Sequence, residues 1–176
     1  MNRLIVGTIV TVIIGGTAYT VSQTDLINFF AEDTGLTQQQ AEQYINTISD
    51  DEMVPFDELG DEQIDIGQET LNIVSKIDCI YSEYEWESSN LTCLAGKTQL
   101  SKIGKDEIAL GKAYKKLGSN SASRDDILKT IELIDTLNDD FAYSIVISIF
   151  TQSEIDEIKK VNSFNKAILK AAIEDN

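Results

Sequence analysis

Leu4–Thr24 reads LIVGTIVTVIIGGTAYTVSQT, an uncharged run of 21 residues between Arg3 and the first acid, Asp25. A helix that crosses the hydrocarbon core of a bilayer needs about 20 mostly apolar residues, so the run is long enough for a transmembrane anchor. A cleavable signal peptide needs a positive start, a shorter apolar stretch and small residues before the cut. Arg3, Leu4–Ile14 and Gly16-Thr17-Ala18 supply these. Gly15-Gly16 weakens a helix by about 1 kcal/mol per glycine relative to alanine, a cost that membrane helices tolerate. Gly7, Thr11 and Gly15 fall four apart on one helical face, the small-residue spacing that lets a second membrane helix approach closely. The expectation is a membrane anchor over residues 1–24, with cleavage of residues 1–18 and secretion as the alternative. Arg3 is the only base before Lys76. The positive-inside rule then keeps the N-terminus in the cytoplasm and sends the remaining domain to the extracytoplasmic side, periplasmic or lumenal.

Behind that run, residues 25–176 are enough for one domain with its own core. The 30 acids and 14 bases give a net charge of −16, unevenly spread. Residues 1–75 hold one base and thirteen acids, a net of −12; residues 76–176 hold thirteen bases and seventeen acids, a net of −4. A front of that sign repels nucleic acid and anionic headgroups and favours a basic partner or cations. The plainer explanation is solubility, which accounts for most acidic surfaces.

Residues 25–50 read as a helical hairpin. Thr24 can cap Asp25–Asp33, Gly35 can end that helix, and Thr37 with Gln40 makes a capping box for the next. Thr24-Asp25-Leu26-Ile27-Asn28, Ala31-Glu32, Gly35-Leu36-Thr37, Ala41-Glu42 and Asn46 resemble the first helical pair of the HU/IHF family of bacterial DNA-bending proteins. The resemblance implies the local fold of two antiparallel helices. Nothing after Asn46 looks like that family's strands or its basic DNA-gripping arm, and Asp33 and Gln38–Gln40 stand where its lysines are expected. Nucleic-acid binding is therefore not carried over.

Residues 51–61 form an acidic loop holding the only proline, Pro55. Asp51, Met53, Phe56, Asp57 and Leu59 are the candidate docking residues, since large apolar side chains among acids suit a partner that is basic around a greasy groove. The weightier alternative is that Phe56 and Leu59 cap the domain's own core. The acids lack the alternating order, glycine and closing glutamate of an EF-hand loop.

Residues 62–176 read as the bundle core. Ile66, Thr70, Ile73, Ile77, Ile80 and Tyr84 recur at helical spacing and predict a long helix over Glu62–Glu85. Cys79 falls on the opposite side, in line with Trp86, and Cys93 follows Trp86 by as many residues as Cys79 precedes it. A hairpin turning near Glu85–Asn90 brings Cys79 and Cys93 together, and in an exported chain they are expected to pair. Thr98–Asn120 is lysine-rich with few large apolar residues and carries a short helix stopped by Gly118. Ser123 with Asp126 caps an amphipathic helix over Arg124–Asn138, Phe141–Phe150 reads as a buried central helix, and Ser153 with Asp156 opens the last. The predicted fold is all-α: an N-terminal transmembrane or signal helix followed by an irregular helical bundle with helical hairpins.

The chain has no histidine, the commonest general base and the usual zinc ligand. Two cysteines that serve as a staple leave no thiol nucleophile, and no phosphate-binding glycine loop or serine elbow is present. No enzyme, cofactor or metal is expected. The leading expectation is a non-catalytic, exported, membrane-tethered acidic module, an accessory, assembly or scaffolding subunit of a membrane or envelope complex. Its partner would be basic or a fellow membrane-complex subunit. A soluble periplasmic binder of a small ligand or calcium, and a secreted inhibitor or immunity-type protein for a basic partner, are the alternatives.

Overall fold

The computed structural model describes residues 9–48, 54–79, 88–142 and 150–174. It is mostly helical, as expected, but it begins with a two-stranded antiparallel sheet, β1 (Ile9–Ile14) and β2 (Thr17–Ser22). Among the described residues six helices follow: α1 (Gln23–Thr34), α2 (Gln38–Thr47), α3 (Phe56–Lys76), α4 (Ser88–Gly118), α5 (Arg124–Asp140) and α6 (Gln152–Glu174).

The hairpin corrects the expectation of a membrane helix over residues 4–24. Its strands pair from Ile9–Ser22 to Ile14–Thr17, and the two residues between them, Gly15 and Gly16, have φ of 59° and 75°. Positive φ at both central positions is what a tight hairpin turn matched to strand twist requires. The dense β-branched residues of the run favour strand over helix. Burial alternates with the period of a strand: Val12 and Ile14 enter the core from β1 while Thr11 and Ile13 face outward, and β2 contributes Val21. The Gly15 amide donates to the Leu117 carbonyl at 2.8 Å, and a Cβ on Gly15 would lie 2.9 Å from the Ala122 side chain. Gly15 therefore serves a turn docked against α4 rather than a membrane-helix seam. Thr11 is an exposed strand residue, and Gly7 lies outside the described residues. No helix among the described residues is long and apolar enough to cross a membrane. Removal of residues 1–18 would take β1 out of the core.

The α1–α2 hairpin forms as expected, with one shift. The N-cap is Ser22, whose hydroxyl accepts from the Asp25 amide, rather than Thr24. Gly35 closes α1 at φ 70°, and Thr37 with Gln40 makes a reciprocal capping box. Phe30 stacks on Tyr44 at 5.1 Å and meets the edge of Phe164 on α6. Helix α6 is the central element of the described core, burying Ile155, Phe164, Ala167, Ile168, Leu169, Ala171 and Ala172. It opens with a cap at Thr151, whose amide and hydroxyl both donate to the Glu154 carboxylate, rather than at Ser153 with Asp156. Lys166 on α6 is buried and bonds to Asp33 on α1 and Asp135 on α5. Burial alone would lower the Lys166 pKa, but the two carboxylates hold it above the ordinary lysine value. Asn162 donates to Asn138 on α5 at 2.9 Å, which satisfies a polar group on the core side of α6. The expected central helix over Phe141–Phe150 falls largely on residues 143–149, outside the described residues.

Helices α3 and α4 form a long antiparallel pair whose packing face is glycine. A Cβ on Gly67 would lie 2.6 Å from the Gly104 carbonyl, and one on Gly111 would lie 2.6 Å from that of Gly60. Gly118 faces Asp57 in the same way. The seven-residue spacing of Gly60 and Gly67, and of Gly104, Gly111 and Gly118, keeps these contacts on one seam. Val74 extends the seam, so the buried face of α3 is Gly60, Gly67 and Val74. The expected apolar stripe is not that face: Ile66 and Ile73 are about half exposed. Helix α3 also spans Phe56–Lys76 rather than Glu62–Glu85, with Ile77 as C-cap and the Lys97 ammonium donating to the Ile77 carbonyl. Beyond it, Cys79 and Cys93 are joined in a disulfide across a separation of 14 residues.

Two measurements check this pair. Gly111→Val drives a branched side chain into the α3 backbone and is expected to lower unfolding free energy by about 1–3 kcal/mol, read by urea denaturation. Reduction of Cys79–Cys93 is expected to lower it by about 3 kcal/mol, since the closed loop is near the length for which chain entropy gives that value.

Candidate functional site

Ile64 and Leu71 flank the glycine seam and close onto Gly111 and Gly104, while Leu59 and Ile66 fall outside it. Among the described elements α3 packs extensively on α4 alone. Leu59 and Ile66, seven apart, face a groove whose opposite wall is α6. One end of the groove is a cleft of about 690 Å³. Val12 and Ile13 of β1, Tyr44 on α2, Phe56 and Leu59 on α3, and Val161, Phe164 and Ile168 on α6 line it. The other end is a cleft of about 460 Å³ lined by Ile66, Leu137, Phe141, Phe150, Ile158 and Val161. Glu157 and Val161 belong to both, so the two are continuous along α6.

Of the candidate docking residues, Phe56, Asp57 and Leu59 line the wider cleft. They stand in the first turn of α3, not in a loop, while Asp51 and Met53 lie outside the described residues. Phe56 stacks on Tyr114 at 5.8 Å between ring centres, so it also caps the core. The buried Tyr114 hydroxyl lacks a well-formed hydrogen bond. Its burial raises the phenol pKa, partly offset by the Asn165 side chain that lines the cleft.

The rim is acidic. Asp57, Glu62 and Glu157 line the wider cleft, Glu107, Glu154 and Glu157 the narrower one, and among the described residues no lysine or arginine lines either. Lysines near the groove pair with acids of the fold: Lys160 with the rim acid Glu157, its ammonium lying over the Tyr44 ring, Lys115 with Asp61, and Lys102 with Asp140 and Asp106. The Asp140 hydrogen bond raises the Lys102 pKa. Glu154 is held below the usual carboxylate range by the Thr151 amide and hydroxyl, and so stays charged.

Glu107 differs from the other acids of the groove. It is 5% exposed, its Oε2 accepts from the Thr70 hydroxyl at 3.1 Å, and no base among the described residues pairs with it. Burial pushes its pKa up to about 7 against the pull of Thr70. Sequence reading passed over it because acids are abundant in this chain; its only signal is its place three residues after Gly104 and four before Gly111, on the face turned to α3.

Compared with protein-family models, with curated proteins and with solved structures, the chain matches none.

Folding raises the Glu107 pKa, so the folded protein binds its proton more tightly than the unfolded chain between about pH 4.5 and 7. Stability from this group is full below that window and is lost as pH rises through 7. Glu107→Gln keeps the acceptor for Thr70 and removes the charge. It is expected to unfold with a free energy about 2 kcal/mol higher than the parent at pH 8 and equal to it near pH 4.5. Parallel thermal melts across pH 4.5–8 measure the difference.

Proposed function

We propose that the protein is a non-catalytic interaction module that docks an amphipathic, basic partner helix in the groove between α3 and α6. The observation that carries this reading is an apolar groove whose charged lining residues are all acidic. A docked helix would lay its apolar face on Phe56, Leu59, Ile66 and Val161, the helix-in-groove mode of recognition. Its basic flanks would meet Asp57, Glu62, Glu154 and Glu157, which governs orientation and encounter rate more than affinity. The net charge of −12 over residues 1–75 has the same sign as that lining.

The role is that of an accessory or scaffolding subunit. The Cys79–Cys93 disulfide supports an extracytoplasmic, oxidising compartment. A membrane helix over residues 4–24 is not part of this reading, because Ile9–Ile14 and Thr17–Ser22 form β1 and β2.

A labelled model helix of leucine on one face and lysine on the other supplies the test, with a leucine–glutamate helix of equal length as control. Fluorescence anisotropy is expected to give micromolar binding of the lysine helix, weakening as salt rises, and none of the glutamate helix. Val161→Asp, at an exposed groove position, is expected to weaken the lysine helix at least tenfold. Equal binding of both helices, or of neither, would remove the reading.

A further inference from the structure

We infer that Glu107 is the buried acceptor for one lysine or arginine side chain of the docked helix, inserted between α3 and α6. This inference rests on the docking reading above and names its specificity-determining contact. Buried charges elsewhere in the described fold are met by opposite charges: Lys166 by Asp33 and Asp135, Asp140 by Lys102. Glu107 alone among the described buried ionisable side chains has only a hydroxyl, that of Thr70. It lines the narrower cleft, where the surrounding walls are Ile66 from α3, Leu137 from α5, Phe141 and Phe150 beyond it, and Ile158 from α6. A carboxylate facing an apolar cavity without a counter-ion is costly, and an incoming cation offsets that cost only if it reaches the carboxylate itself.

The chemistry of the cavity fits a long basic side chain rather than a free metal ion. Lysine and arginine carry an apolar stem that packs on hydrocarbon while the charged head reaches a polar group. Ile66, Phe141 and Ile158 would cover the stem, and Glu107 would receive the head. The other titratable groups lining the cleft are Glu154 and Glu157 on α6; the rest of the polar lining is Gln63 on α3 and Asn162 on α6. Glu154 is occupied by its cap with Thr151. Glu157 is paired at 3.7 Å with Lys160 one turn along α6, so an incoming cation meets that ammonium at the rim, while Glu107 inside the cleft has none among the described residues. Binding of the cation stabilises the ionised form of Glu107, so affinity rises as pH rises from 6 to 8, a range in which the basic side chain stays charged.

The experiment uses the leucine–lysine helix with the full chain, Glu107→Gln and Val161→Asp, each at pH 6 and pH 8. The parent is expected to bind about tenfold more tightly at pH 8 than at pH 6. Glu107→Gln, which the stability analysis expects to fold at least as well as the parent, should bind about tenfold more weakly at pH 8 and show no pH dependence. A single-lysine series in the helix, each replaced by glutamine, should find one position whose replacement costs the parent about tenfold and Glu107→Gln nothing. If the helix binds the parent and Val161→Asp abolishes it, but Glu107→Gln binds as the parent does at both pH values, Glu107 is not the acceptor while the groove remains a docking site. If the helix binds neither the parent nor the variants, the docking reading fails and this inference falls with it.

Discussion

The contact on which the rest depends is backbone against backbone, Gly60 on Gly111 and Gly67 on Gly104. Two helices ordinarily meet through side chains that hold their axes about 8–10 Å apart. Here the missing Cβ atoms let α3 settle onto α4 with nothing between them. Ile64 and Leu71 close the seam over Gly111 and Gly104, and the remaining large apolar residues of α3 have no place on it. That is why Leu59 and Ile66 line an open groove while Gly60 and Gly67, one residue further along, are buried. The disulfide at the far end and the Lys115–Asp61 pair near the start hold the register along the length of α3.

The same close approach accounts for Glu107. It sits between Gly104 and Gly111 on the seam side of α4, so the tight α3–α4 contact withdraws it from water and leaves it only the Thr70 hydroxyl. The outward edge of that seam opens into the narrower cleft. An acid so placed destabilises the free fold above neutral pH, and perturbed acids cluster at functional sites. On the proposed docking, stability and recognition would be linked through one side chain: what costs the empty protein at pH 8 would give specificity to the occupied one.

Much of this was legible in the sequence, and the failures have physical causes. Caps are legible at Thr37 with Gln40 and Ser123 with Asp126, but at α1 and α6 the cap lies two residues earlier, on Ser22 and Thr151, because Thr24 and Ser153 offer the same chemistry within one turn. The pairing of Cys79 with Cys93 followed from spacing. Phe56 and Leu59 pack against the domain's own core, the weightier of the two readings open in the sequence, and with Asp57 they line the wider cleft from the first turn of α3 rather than from a loop. The run from Leu4 was misread because length and apolarity do not distinguish a membrane helix from a buried hairpin. The alternation of Val12 and Ile14 with Thr11 and Ile13 around Gly15-Gly16 does. The α3–α4 seam escaped notice because periodicity was sought in large residues, whereas here the heptad is written in glycine.

A protein labelled with 13C at glycine and at isoleucine methyls gives the most direct test, through filtered NOE spectra of the free chain. The structure requires Hα cross-peaks between Gly60 and Gly111 and between Gly67 and Gly104, with the Ile66 methyls facing α6. Spectra that lack the glycine pairs and instead place the Ile66 and Ile73 methyls against α4 would turn α3 about its axis, close the groove and contradict the account.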